Sequence, residues 1–256
     1  MAKPKGPSIL CIIISILILI IFIAFYSTEL HENADESKDL RTLEEDGFII
    51  LQNSAFDYHK DGIANKTLRQ AALRSLPPEY VFIDYVYCIE DAALSTFHRD
   101  VTSSRYRYKT TNPVYTLILY EYSGCLLTLC PGSHKEYPFC WSRPVNISAH
   151  EKTAFLFDSD LLHAGCANGC LSKRQLVQYK LCHKSDYDTL LHLDGIRMKK
   201  REACQDDFFR RCMRKSSYFL QFPIHVWFSP ILEHRYDKSS LVGQIQDVVP
   251  LAYYNQ

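Results

Sequence analysis

Short apolar runs, each closed by a turn signal, constrain this chain more than any other feature. Phe48-Ile49-Ile50-Leu51, Tyr80 to Ile89, Val114 to Tyr122, Cys125 to Cys130, Thr153 to Phe157 and Gln175 to Leu181 are rich in β-branched, aromatic and aliphatic residues. Ser123-Gly124, Pro131-Gly132 and Asp158-Ser159-Asp160 punctuate them. Strands this short at this spacing predict a mainly β fold, a two-sheet sandwich or jelly roll with a few helices. Two helices are expected beside them. One is Leu40 to Asp46, stopped by Gly47. The other is Asn65 to Leu76, where Leu68, Ala71, Ala72 and Leu76 share a face and Pro77-Pro78 ends the run. With 17 tyrosines and 14 phenylalanines the chain can fill a sizeable core, which argues against disorder.

Ile9 to Tyr26 is apolar except for Ser15, and its eighteen residues are just enough to span a hydrocarbon core. Lys3 and Lys5 precede it, and Glu29, Glu32, Asp35 and Glu36 follow it. The positive-inside bias then predicts a cytoplasmic segment 1–8, a signal-anchor over 9–26 and a stalk over 27–39. A folded domain over 40–256 follows, with its core at about 40–185 and an extension over 186–256. A cleaved signal peptide is the competing reading, but the run is long for one and no small-x-small site follows Ala24. The expected arrangement is a single-pass type II membrane protein whose domain is lumenal or extracellular. Asn65-Lys66-Thr67 and Asn146-Ile147-Ser148 are candidate glycosylation acceptors and agree with that side. So does the cysteine count. Nine of the ten lie beyond the apolar segment, high for a reduced compartment, and Cys166/Cys170 and Cys204/Cys212 are near enough in sequence to pair. Basic and acidic residues balance at 29 each, so nothing points to nucleic acid. Asp194 to Lys215 is locally basic, which suits a solvated helix face or a basic lip for anions or lipid head groups.

His98-Arg99-Asp100 carries the chemistry. On extended backbone, residues two apart project to the same side, so His98 and Asp100 can chelate one ion while Arg99 points away. With His163 far downstream, this is the residue set of a two-histidine, one-carboxylate metal site. Such a site suits Fe(II) and leaves coordination positions open. His134 competes as a ligand, and Asp158 and Asp160 compete as the carboxylate.

Four separated segments resemble the phytanoyl-CoA dioxygenase family of Fe(II)/2-oxoglutarate oxygenases. They are Leu43-Glu44-Glu45-Asp46-Gly47-Phe48-Ile49-Ile50-Leu51, Phe97-His98-Arg99-Asp100, Gly124 to Lys135 with its Pro131-Gly132-Ser133-His134 turn, and Leu162-His163-Ala164-Gly165 followed by Asn168 and Arg174. The resemblance covers about Leu40 to His183. It implies a double-stranded β-helix, His98, Asp100 and His163 as iron ligands, and Arg174 holding the far carboxylate of 2-oxoglutarate, with dioxygen as the other co-substrate. A guanidinium suits that task because it gives a carboxylate two parallel charge-assisted hydrogen bonds. The loop Thr102 to Lys109 is expected at the substrate mouth. The anchor and the cysteines are unlike the family's soluble members, so the expected substrate is a lipid, glycan, protein or other small molecule rather than an acyl-CoA. The competing function is a catalytically inactive jelly-roll ectodomain that binds a partner.

Overall fold

The computed structural model describes residues 13–19, 29–33, 41–57, 65–90, 95–135, 142–166, 175–201 and 208–223. Two sheets face each other. The larger is built from β2 (Phe48–Gln52), β3 (Tyr80–Phe82), β4 (Tyr85–Glu90), β5 (Tyr115–Tyr120), β8 (Thr153–Asp158), β10 (Gln175–His183) and β11 (Ile196–Arg201). Its strand order is β11-β4-β10-β5-β8-β2, with β3 also paired to β10. The smaller runs β1 (Leu30–Asn33), β7 (Val145–Ala149), β6 (Gly124–Leu129), β9 (His163–Gly165). Its far edge continues as a single antiparallel bridge between His98 and His163.

From β4 the chain crosses to His98, back to β5, over to β6 and β7, back to β8, over to β9 and back to β10. Every pairing along that path is antiparallel. This alternation between sheets is a jelly-roll-like sandwich.

Strand alternation explains the layering. In β5, Ile118 and Tyr120 face the small sheet and join Phe48, Phe155, Phe157, Leu127, Leu129 and Ile147 in the inter-sheet core. Leu117 and Leu119 face the other way, into a second core with Leu156, Val177 and Leu181. Helix α2 (Lys66–Arg74), which follows helical residues 13–19 (α1) in chain order, covers that face with Leu68 and Ala72. Burying a leucine such as Leu68 contributes roughly 1.5–3 kcal/mol. Asn65 caps α2, its side chain accepting from the Leu68 amide at 2.9 Å.

Several expectations are corrected. Residues 41–47 form a turn, not a helix. The Asp46 and Gly47 amides both donate to the Thr42 carbonyl, and Gly47, at φ +83°, ends it. One turn is too short to sustain a helix on its own. Tyr80 to Ile89 is two strands broken at Ile83-Asp84, both paired with β10. The stalk expected over 27–39 contains β1, which pairs in parallel with β7. Asp194 to Lys215 holds β11 and the start of α4 (Phe208–Pro223) rather than one solvated helix face. β11 is an edge strand whose Arg197, Lys199 and Arg201 pair with Asp84 and Glu90, and such charges blunt edge-to-edge association. Among the described residues, no helix is long and apolar enough to cross a membrane. Residues 13–19 are helical and exposed, and the rest of 9–26 lies outside the described residues.

Candidate metal centre

His163 opens β9, and His98 faces it across the isolated bridge, each amide donating to the other's carbonyl at 2.9 Å. Asp100 follows two residues on, its amide donating to the Ser159 carbonyl at 2.8 Å. One ligand atom from each of His98, Asp100 and His163 lies within 4.8 Å of the others. Asp100 Oδ1 is 3.7 Å from His163 Nε2 and 4.0 Å from His98 Nε2. The histidine rings lie 4.4 Å apart, and Phe157 packs against His163. His163 is buried and the Asp100 side chain is 11% exposed, whereas the His98 side chain is 37% exposed, so the cluster opens to solvent on the His98 side.

Both imidazoles are oriented by the main chain. His98 Nδ1 lies 3.0 Å from the Thr96 carbonyl, and His163 Nδ1 lies 2.9 Å from the Leu161 carbonyl. A carbonyl only accepts, so each Nδ1 carries the ring hydrogen and each Nε2 presents a lone pair to the shared space. This is the arrangement that fixes tautomer and ring direction in metal-bound histidines. Burial, with the His98 ring nearby, pushes His163 down to about 4, so it stands neutral and ready to ligate.

Asp100 divides its two oxygens. Oδ1 faces the histidines. Oδ2 accepts from Thr116 Oγ1 at 2.6 Å, Gln178 Nε2 at 3.3 Å and Lys180 Nζ at 2.6 Å. Burial opposes its charge, but the Lys180 ammonium, His163 and His98 outweigh burial and hold Asp100 well below the usual carboxylate range. Lys180 itself is fully buried, and burial pulls its ammonium down even though Asp100 opposes that. The donor set therefore fits a divalent ion of the iron class: two imidazole nitrogens and one carboxylate oxygen on one side, with a cation-bearing wall behind.

The sequence-predicted residues separate clearly. His98, Asp100 and His163 come together. Arg174 and Asn168 lie outside the described residues. His134 is no ligand: its Nε2 donates to the Glu44 carbonyl at 3.2 Å, and its ring covers Gly47. A Cβ at Gly47 would lie 2.4 Å from His134 Nδ1, so only glycine fits there. Asp158 and Asp160 are not ligands either. Asp160 accepts from Ser104 Oγ and, at 3.0 Å, from the Arg105 amide, while its carbonyl accepts from Arg99. Ser159 binds Ser103 Oγ at 2.9 Å. This turn holds the 99–105 segment that carries Asp100. Arg105 begins a single helical turn, α3 (Arg105–Tyr108), and the Thr102 to Lys109 loop is packed down rather than free, with Ser103 and Ser104 buried.

Asn65 is half-buried, and its Nδ2 donates to the Ala55 carbonyl at 2.8 Å. Asn146 is the second residue of β7 and accepts from Thr128 Oγ1. Proximity in sequence left the cysteine connectivity open, and among the described residues one disulfide forms. Cys166 pairs with Cys125, 41 residues away, joining β6 to the end of β9. Cys170 and Cys204 lie outside the described residues. The sequence reading missed Thr116, Gln178 and Lys180.

No family model matches the chain, and no curated protein does. Solved structures share a remote likeness. EvdMO1 matches at 14% identity and a TM-score of 0.43, over 56% of this chain and 49% of that one. The chain thus spans about half the length of EvdMO1. SnoN, a non-heme alpha ketoglutarate dependent epimerase from nogalamycin biosynthesis, matches at 12% and 0.41, over 55% of this chain and 79% of that one. EctD from S. alaskensis with bound Fe matches at 14% and 0.37, over 63% and 85%. At these scores the functional reading rests on this chain's own residues.

Proposed function

We propose that the chain is an Fe(II)/2-oxoglutarate-dependent dioxygenase that hydroxylates a lipid, glycan, protein or other small-molecule substrate. One observation carries this. Two imidazoles and one carboxylate oxygen converge, and each imidazole has its Nδ1 on a main-chain carbonyl, which leaves Nε2 turned to the shared space. Iron bound there supplies oxidative decarboxylation of 2-oxoglutarate coupled to hydroxylation. His98, Asp100 and His163 hold the ion. Thr116 and Gln178 keep Asp100 turned so that Oδ1 faces it. Arg174 anchors the far carboxylate of 2-oxoglutarate. Phe157 and the inter-sheet core keep water off the buried side. The fold is then a double-stranded β-helix.

The chain is further proposed to be held by 9–26 in a membrane, with this domain on the lumenal or extracellular side. The apolar, exposed residues of 13–19 support the membrane, and the Cys125–Cys166 disulfide supports that side. Lys180 is the observation that favours the other reading, a metal-free binding module, because its ammonium already neutralises Asp100.

Anaerobic Fe(II) titration of the protein, then succinate release from 2-oxoglutarate, decides between them. His98→Ala and Asp100→Ala are expected to abolish iron binding. Arg174→Ala is expected to weaken 2-oxoglutarate by about tenfold or more while sparing iron. Iron binding that survives both ligand substitutions sinks the enzyme reading.

A further inference from the structure

Among the described residues, the His98 segment meets its own sheet at the edge beside β9. Its ladder contact with β9 is one residue pair, with two hydrogen bonds. A metal ligand needs closer placement than one bridge gives; the 158–160 turn supplies it on the Asp100 side, and α4 meets the chain on the Ser95 and Phe97 side.

We propose that Arg214, on α4, is the positioning residue that holds the His98 segment against the His163 strand; this rests on the metal-site reading above. Arg214 is 4% exposed and sits over the outer face of the small sheet. Its Nη1 donates to the Ser95 carbonyl and to the Gly165 carbonyl, each at 2.7 Å. Ser95 is three residues before His98, and Gly165 is two residues after His163. One guanidinium nitrogen therefore ties together the two backbones that carry the imidazoles. Nη2 donates to Thr128 Oγ1 of β6 at 2.6 Å, which fixes the pair to the next strand inward. The guanidinium also lies 4.7 Å from the centre of the Phe97 ring, next to His98.

The neighbouring turn of α4 repeats the grip. Ser217 Oγ accepts from the Phe97 amide at 2.8 Å and donates to the Arg214 carbonyl at 2.6 Å. Tyr218 packs edge-on against Phe97, with ring centres 5.3 Å apart, and its hydroxyl donates to the Ser142 carbonyl. Charge balance comes from Glu29, whose two carboxylate oxygens accept from Arg214 Nε and Nη2 at 3.1 Å each. Lysine could not reproduce this, because it has no fork to bind a carboxylate bidentately while reaching two carbonyls. Glu29 is three residues beyond the apolar segment that ends at Tyr26. The same guanidinium thus joins the N-terminal approach to the domain, the C-terminal helix and the metal-bearing edge.

Amide exchange on the metal-free full chain, with Co(II) titration of the same samples, tests this. Arg214→Met is expected to speed exchange over 95–98 and 163–166 by about ten- to a hundredfold, and to weaken Co(II) by a similar factor with a changed visible spectrum. Exchange in β5 and β8 should stay as in the wild type. Acceleration spread evenly over both sheets, unchanged exchange at 95–98, or an unchanged Co(II) affinity and spectrum overturns the proposal. If Arg214→Met does not fold, Ser217→Ala removes only the Phe97 anchor. It must show the same local pattern at smaller size, and no change at Phe97 and His98 overturns the proposal. A wild type that takes up no Co(II) removes the iron reading alone, because the exchange pattern still decides whether Arg214 positions His98.

Discussion

Two imidazoles serve one ion only if each is told which nitrogen to present. Here main-chain carbonyls two residues back, those of Thr96 and Leu161, give that instruction. Of the three candidate ligands, His98 and Asp100 were legible together because a His-x-Asp triplet on extended backbone projects both side chains one way, whereas His163 entered through the resemblance of the Leu162-His163-Ala164-Gly165 segment. Lys180 was not legible. In the run Gln175 to Leu181 the polar and apolar positions alternate, and alternation reveals the period but not which face is the core. Val177, Tyr179 and Leu181 turn outward to α2, while Gln178 and Lys180 turn inward to Asp100. A prediction follows from the buried pair. In the metal-free protein Lys180→Met leaves the Asp100 carboxylate buried without its cation, at a cost of about 3–5 kcal/mol. A bound divalent ion replaces that cation. Denaturant unfolding should therefore show a large loss for the variant without metal and a clearly smaller one with saturating Co(II). Equal losses in both states would mean that Asp100 does not face the ion.

At the scale of elements, β2, β5, β8 and β10 were readable because they are apolar on at least one whole face. β1, β7, β9 and β11 were not. β9 is three residues long, β7 reads as a glycosylation acceptor, and β1 and β11 are polar edge strands without an apolar period. The Asp158-Ser159-Asp160 turn was legible as a turn but not as the support of the Asp100 segment. It carries its own pH signature. Burial, then the neighbouring Asp160 charge, pushes Asp158 up to about 7. The unfolded chain ionises near the ordinary aspartate value of about 3.9, so between there and about 7 the folded state binds more protons. Stability from this group is therefore complete below about pH 4 and lost as pH rises through 7, by about 4 kcal/mol in all. Asp158→Asn keeps the acceptor for the Asp160 amide, which lies 2.8 Å from Asp158 Oδ1, and cannot ionise. Unfolding free energies from pH 4 to 8 should fall for the wild type relative to the variant. A difference that stays flat over that range would place the Asp158 carboxyl in a wetter setting.

Over the whole molecule, the small sheet gathers the features that bear on compartment. The Cys125–Cys166 disulfide fastens β6 to the end of β9, and β1 lengthens the same sheet a few residues after the apolar segment. The pairing was not legible, because β6 and β9 meet only through a fold that brings residues 41 apart into register. The two glycosylation motifs, indistinguishable as short patterns, differ once folded. Asn146 sits between β1 and β6, its side chain accepting from Thr128, whose hydroxyl in turn accepts from buried Arg214. A glycan there would have to displace α4 from the sheet. Asn65 stands at the start of α2, where its amide nitrogen meets a carbonyl in an exposed hydrogen bond that a glycosylated asparagine can retain. A lumenal domain should consequently carry its sugar at Asn65. Treatment with a glycosidase should shift the mobility of the wild type and of Asn146→Gln, and leave Asn65→Gln unshifted. A shift lost only in Asn146→Gln would contradict the packing of α4 on the small sheet. No shift in any of them would remove the glycan as support for the lumenal side and leave that assignment on the disulfide and the apolar segment.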